Sequence, residues 1–230
     1  MKTIGLIEGM MWPSSNQYRE MIHTSIQEQR GGLSSGEIAG WSVDMERIRN
    51  LQKEGRWKEA AADLSDKAQR LESIGAQCIA ICTNTMHIVA EEVQNSVGVP
   101  LINIIDETAE RLKMHGRDKV GLLGTCMTME KDFYKERMKD HGIEILVPKQ
   151  SDRTIINHAI FEGFGKKNLQ EEEVQTYRDS VRYLASIGAE AVIYGCTEIG
   201  MILDPEDSVL PVFDSTRIHA EALVEFALSD

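Results

Sequence analysis

Apolar positions along the chain follow two alternating rhythms. Short runs of strand length are rich in Ile, Val and Leu, and they stand at Thr3–Ile7, Glu37–Val43, Gln77–Ile81, Pro100–Ile104, Lys119–Leu123, Ile143–Val147, Ala191–Tyr194 and Val209–Phe213. Between them the period changes to that of an amphipathic helix. Trp57, Ala61, Leu64, Ala68 and Leu71 form one stripe, and Val174, Tyr177, Val181 and Leu184 form another. Strands alternating with helices predict parallel sheets covered by helices, an α/β fold. A final helical stretch, 216–228, is expected to return and pack on the first part of the chain.

The pattern is also written twice. Ile4-Gly5-Leu6-Ile7 matches Val120-Gly121-Leu122-Leu123, and Ser73-Ile74-Gly75-Ala76-Gln77 matches Ser186-Ile187-Gly188-Ala189-Glu190. Cys82-Thr83-Asn84 matches Cys196-Thr197-Glu198, and Val99-Pro100-Leu101 matches Leu210-Pro211-Val212. The offsets are 116, 113, 114 and 111 residues, in the same order along the chain. This predicts a duplicated chain of two pseudo-symmetric α/β domains, residues 1–98 with 213–230 and residues 99–212, with an active site at their interface.

Composition narrows the partners. A net charge of -12 argues against nucleic acid and, more weakly, against a highly anionic ligand. The chain has no apolar run of membrane-spanning length, and Met1–Gly5 carries no signal-peptide pattern, so a cytoplasmic location and no membrane partner are expected. The four cysteines, Cys78, Cys82, Cys126 and Cys196, do not fit CxxC or zinc spacing, and reduced thiols are expected. With no Gly-rich phosphate loop and no metal-spaced His/Cys cluster, no cofactor and no metal are expected.

Two positions stand out chemically. Cys82-Thr83 and Cys196-Thr197 each follow a buried-type strand and precede a helical stretch, from about Met86 and Ile199. Ligands of open parallel sheets gather at the carboxyl ends of strands. A helix N-terminus there favours an anion and is expected to lower a thiol pKa. Thr83, Asn84, Thr85 and Thr197 add short polar groups at the helix mouths. Either motif alone reads more readily as a capped helix beside an inert cysteine; two in matching places reverse that and suit a reaction that inverts a carbon centre. Such a reaction needs a base on one face and an acid on the other, and two identical groups serve both directions.

The motifs Cys82-Thr83-Asn84-Thr85-Met86-His87 and Gly195-Cys196-Thr197-Glu198-Ile199-Gly200 resemble the aspartate/glutamate racemase family, in its members that work without pyridoxal phosphate. Leu122–Thr125, Thr128–Tyr134 and Leu210–Asp214 carry the same resemblance, which covers nearly the whole chain. It implies two flavodoxin-like domains, a homodimer, no cofactor, an amino acid substrate, and Cys82 and Cys196 as the base–acid pair. It also implies substrate contacts from Met10, Asn84, Thr85, Thr125 and Thr197, with Gln52 matching a binding position and Lys166 standing where relatives carry a substrate lysine.

The chain departs from the family at two places. The first strand loop reads Glu8-Gly9-Met10-Met11 where the family has Gly-Gly-Met-Ser, and Cys126 stands where many relatives carry Arg. Glu8 could repel a substrate carboxylate, meet its ammonium group, point to solvent or pair with a neighbouring base. Arg47 could fork onto a side-chain carboxylate or lie on a solvated helix face. Cys126 reads as structural, and His87 either tunes the thiol or is a surface or capping histidine. The function expected is racemisation of aspartate or glutamate. Maleate isomerisation, arylmalonate decarboxylation, hydantoin racemisation and a non-catalytic two-lobe binder fit the same scaffold and stay open.

Overall fold

The computed structural model describes residues 1–165 and 167–229. The chain divides into two compact units, Met1–Ile104 with His219–Asp230, and Ile105–Ile218. Each is an α/β body built on a parallel sheet.

In the first unit, β1 (Ile4–Glu8) lies between β2 (Ile38–Ser42) and β3 (Cys78–Ile81), and every pairing is parallel. All five residues of β1 and all four of β3 are buried, as expected for central strands covered on both faces. Three helices follow in the chain: α1 (Trp12–Arg30), α2 (Met45–Lys53) and α3 (Trp57–Ser73). α3 buries Ala61, Leu64, Ala68 and Leu71 of the expected stripe, in one cluster with Ile7, Ile79 and Ile81. Burying each such aliphatic side chain stabilises the fold by about 1.5–3 kcal/mol. Beyond β3 come a 3-10 turn, Thr85–Val89, and the short α4 (Ala90–Asn95).

The segment Pro100–Ile104 is not the strand that its composition suggests. Only Leu101 bridges, to Ile79, through hydrogen bonds from Ile79 N to the Pro100 carbonyl and from Ile102 N to the Ile79 carbonyl. Proline has no N–H for a ladder, and α5 (Ile104–Met114) already starts at Ile104.

The second unit repeats the order. β4 (Lys119–Leu123) lies between β5 (Glu144–Leu146) and β6 (Ala191–Tyr194), and β7 (Val212–Asp214) pairs beyond β6, all parallel. Its helices are α6 (Cys126–Glu130), α7 (Asp132–Asp140), α8 (Gln150–His158), α9 (Glu171–Ser186) and α10 (Ile199–Ile202). α8 continues as a π-helical turn, Ala159–Phe164. α9 buries Tyr177, Val181 and Leu184. β1, β2 and β3 thus correspond to β4, β5 and β6, and the single bridge at Leu101 stands where the second unit has β7.

The last helix, α11 (Ser215–Leu228), buries Ala220, Leu223, Val224 and Ala227 against Ile4, Leu6 and Tyr18 of the first unit. His219 is fully buried, 2.9 Å by Nδ1 from the Tyr18 hydroxyl and 2.8 Å by Nε2 from the Ile102 carbonyl. Among the described residues no helix is long and apolar enough to cross a membrane.

Burial holds the His219 pKa down at about 4. The unfolded chain, with His near 6.5, binds more protons between these values, so stability rises with pH across the window. The contribution is complete above pH 6.5 and lost as pH falls towards 4, about 3 kcal/mol in all. Denaturant midpoints measured from pH 7 to 4 should fall accordingly, and His219→Gln should flatten that part of the slope.

Candidate active site

Each unit carries one cysteine just past the carboxyl end of a buried strand. In the first unit Cys82 directly follows β3, and its N–H bonds the Ile7 carbonyl at 2.9 Å, which sets it beside the end of β1. It is completely buried. The next residue of β1 is Glu8, whose carboxylate takes a two-point bond from Arg19 of α1: Nε to Oε2 at 3.0 Å and Nη2 to Oε1 at 2.7 Å. Of the roles open to Glu8, the structure shows pairing with a neighbouring base. Gly40 of β2 makes room for this pair, because a Cβ there would overlap Arg19 Nη2 and Glu8 Oε1.

Met10, Asn84 and Thr85 are buried and Thr83 is half-buried. Gln52 is buried on α2, and its amide donates to Met86 Sδ at 3.1 Å. His87 is buried rather than on the surface, with Nδ1 2.8 Å from the Thr83 carbonyl. Arg47 reaches the buried Asp63 at 2.9 Å, where Lys67 also bonds at 3.2 Å.

In the second unit Cys196 follows β6 by way of Gly195, whose N–H bonds the Leu123 carbonyl at 2.7 Å. Cys196 is partly exposed. Its thiol donates to Glu198 Oε2 at 2.7 Å, and the Thr197 hydroxyl donates to the same oxygen at 2.8 Å. Glu198 is buried. Thr125 caps α6, its hydroxyl oxygen accepting from the Thr128 N–H at 3.2 Å. Cys126 is tied into the helical framework: its N–H bonds Asn157 Oδ1 at 2.9 Å and its thiol bonds the Arg153 carbonyl at 3.5 Å. Lys166 lies outside the described residues.

The electrostatics overturn one expectation. Both thiols are held well above the ordinary cysteine range, not below it. Burial is the main cause for each, followed by the negative charge of Glu8 at Cys82 and of Glu198 at Cys196; Arg19 partly offsets Glu8. Helix dipoles supply little opposition, since Cys82 meets a 3-10 turn and Cys196 a helix of four residues. Cys196 is thus a thiol whose hydrogen is directed at a carboxylate oxygen. Among the described residues no group of three or more His, Cys, Asp or Glu is placed to hold a metal ion.

Residues 7–223 match the family model described as Asp/Glu/Hydantoin racemase. The chain belongs to this racemase family. Its named relatives are racemases, which are isomerases, and the chain is an enzyme of that kind. It is 29% identical over 166 residues to the "Broad specificity amino-acid racemase RacX" of Bacillus subtilis, covering 71% of this chain and 70% of that one. It is 24% identical over 161 residues to a glutamate racemase of Exiguobacterium sibiricum, covering 66% of this chain and 58% of that one. Among solved structures, an aspartate racemase homologue from Pyrococcus horikoshii superposes with a TM-score of 0.85 at 34% identity, each chain covered in full. A candidate Asp/Glu racemase from Yersinia pestis superposes with a TM-score of 0.93 at 43% identity, again over both whole chains.

Two groups at these racemase half-sites escaped the sequence reading. Glu198 sits inside the quoted motif, but nothing in the spacing says that its side chain turns back onto Cys196. Arg19 lies 11 residues beyond Glu8; its signal is an acidic strand end followed two turns into a helix by an arginine.

Replacing Glu198 by Gln removes a charge that holds the Cys196 thiol up. The pH midpoint for alkylation of Cys196, followed by peptide mass analysis, should fall below that of the wild-type enzyme. Wild-type Cys196 should alkylate slowly at pH 7.

Proposed function

We propose that the chain racemises a free amino acid without a cofactor, with Cys82 and Cys196 exchanging the α-proton on opposite faces of the α-carbon. The observation that carries this reading is the bond from the Cys196 thiol to the Glu198 carboxylate, 2.7 Å long, at the end of a strand whose counterpart ends at Cys82. A buried thiol is a poor base until its proton has somewhere to go. Glu198 takes that proton, the Cys196 thiolate removes the α-hydrogen of one enantiomer, and the Cys82 thiol returns a proton from the other side. In the reverse direction Cys82 removes the hydrogen and Cys196 donates. At Cys82 the group that favours a thiolate is Arg19, while the Glu8 carboxylate paired with it opposes one.

Met10, Thr83, Asn84, Thr85, Thr125 and Thr197 are proposed to hold the substrate's α-carboxylate and ammonium, with Gln52 and Lys166 towards its side chain. Donors at the carboxylate are what a carbanion next to it requires. The family resemblance supports aspartate or glutamate as substrate and a cytoplasmic homodimer as the working form. A second reading of specificity is favoured by the pairing of Arg47 with Asp63, which leaves that cation partly neutralised. Cys126, in turn, supplies no charge where many relatives carry Arg. On that reading the enzyme also accepts amino acids with uncharged side chains; the Bacillus relative is named for broad specificity.

Incubating the enzyme with each L- and D-amino acid in deuterated water identifies substrate and reaction together. Deuterium should enter the α-position of both enantiomers of the true substrate, and thorough dialysis against chelator should leave the rate intact. Cys82→Ala and Cys196→Ala should each lower racemisation by roughly 10²-fold or more. Each should still exchange the α-hydrogen of one enantiomer, and the two variants should prefer opposite enantiomers. Normal racemisation by both variants would make the cysteines structural and end this reading.

A further inference from the structure

Two buried histidines near Cys82 take no part in the proton exchange, and their bonding fixes where their protons lie. His219 Nε2 stands 2.8 Å from the Ile102 carbonyl, which can only accept, so Nε2 carries the hydrogen. Its Nδ1 then accepts from the Tyr18 hydroxyl at 2.9 Å. His87 has the opposite arrangement. Nδ1 donates to the Thr83 carbonyl at 2.8 Å, and Nε2 accepts from the Ile104 N–H at 3.2 Å. The two rings meet edge to face, with centroids 6.0 Å apart. Both are buried and both are neutral in this geometry. A second proton on His87 would point Nε2–H at the Ile104 N–H.

The bonded segments are special places in the chain. Thr83 follows Cys82 directly, and the N–H groups of both are already anchored, to Ile7 and Ile81. Ile104 and His219 are the residues at which the first unit hands the chain over and takes it back. We infer that His87 and His219 are positioning residues for Cys82, fastening the Cys82–Thr83 turn to both chain crossings through two neutral imidazoles in opposite tautomers. This rests on racemisation by Cys82 and Cys196 as proposed above. Neither histidine touches the substrate in this role. His87 acts by fixing the Thr83 carbonyl next to the thiol, and His219 by backing the His87 ring from the Ile102 carbonyl; a displacement of about 1 Å in a reacting group can cost on the order of 10²-fold in rate.

Long-range proton–nitrogen NMR on the unliganded full chain reads the tautomers without any assay. His87 should show Nδ1–H and His219 Nε2–H. The functional arm uses His87→Asn, which keeps a donor for the Thr83 carbonyl but not the acceptor for Ile104, and His87→Gln, which can accept from Ile104 but not hold Thr83. Each is placed in the Cys196→Ala and Cys82→Ala enzymes, and solvent deuterium uptake is followed into both pure enantiomers. Uptake that depends on Cys82 should fall by about 10-fold to 10²-fold in kcat with KM little changed. Uptake that depends on Cys196 should stay within about threefold, because its turn is outside this network. Equal losses in both backgrounds, or no loss in either, overturn the positioning role, as does an Nε2–H or cationic His87. Absence of exchange by the wild-type enzyme with every amino acid would instead overturn the racemase reading, and the positioning role with it.

Discussion

Every charge at the ends of β3 and β6 must be made where water is scarce. β1, β3 and β6 are buried along their whole length, and the thiols that follow β3 and β6 inherit that setting. Transfer of an ion into such surroundings is costly unless a partner stands beside it. The partners here are carboxylates. A carboxylate beside a thiol raises the thiol's pKa further, yet it also gives the proton a short path off the sulfur. Reactivity in this arrangement comes from moving a proton over a hydrogen bond, and a standing thiolate is not needed.

The duplicated fold does not make the two half-sites equal. Glu198 binds the Cys196 and Thr197 hydrogens on one oxygen. In the first unit Asn84 stands at the matching position, and the nearby acid, Glu8 at the end of β1, places both of its oxygens on Arg19. One unit therefore has a proton acceptor in contact with its thiol, and the other has an ion pair that shapes the field around a fully buried one. On the proposed two-thiol reading, a reaction running in both directions must tolerate this inequality, since each thiol gives in one direction and takes in the other.

Most of the architecture was legible in the chain because it depends on period. Runs such as Lys119–Leu123 and stripes such as Ala61, Leu64, Ala68 and Leu71 can satisfy only one geometry, and both were found where the pattern put them. Pro100–Ile104 misled because its apolar residues fill core positions without ladder pairing, one bridge at Leu101 excepted. The thiol environment was illegible for a different reason. Its determinants are the directions taken by individual side chains, as at Glu198, or contacts across long stretches of chain, as between His219 and Ile102, 117 residues apart. The rule that helix mouths lower thiol pKa failed because the helices that form are too short to outweigh burial.

Gly40 ties the history of this site to a residue that touches no substrate. Its missing side chain is what lets the Glu8–Arg19 pair lie across β2. A larger residue at position 40 would have to push the Arg19 guanidinium and the Glu8 carboxylate out of this arrangement. A strand at the edge of the sheet therefore limits which partner an acid at the end of its neighbour can keep.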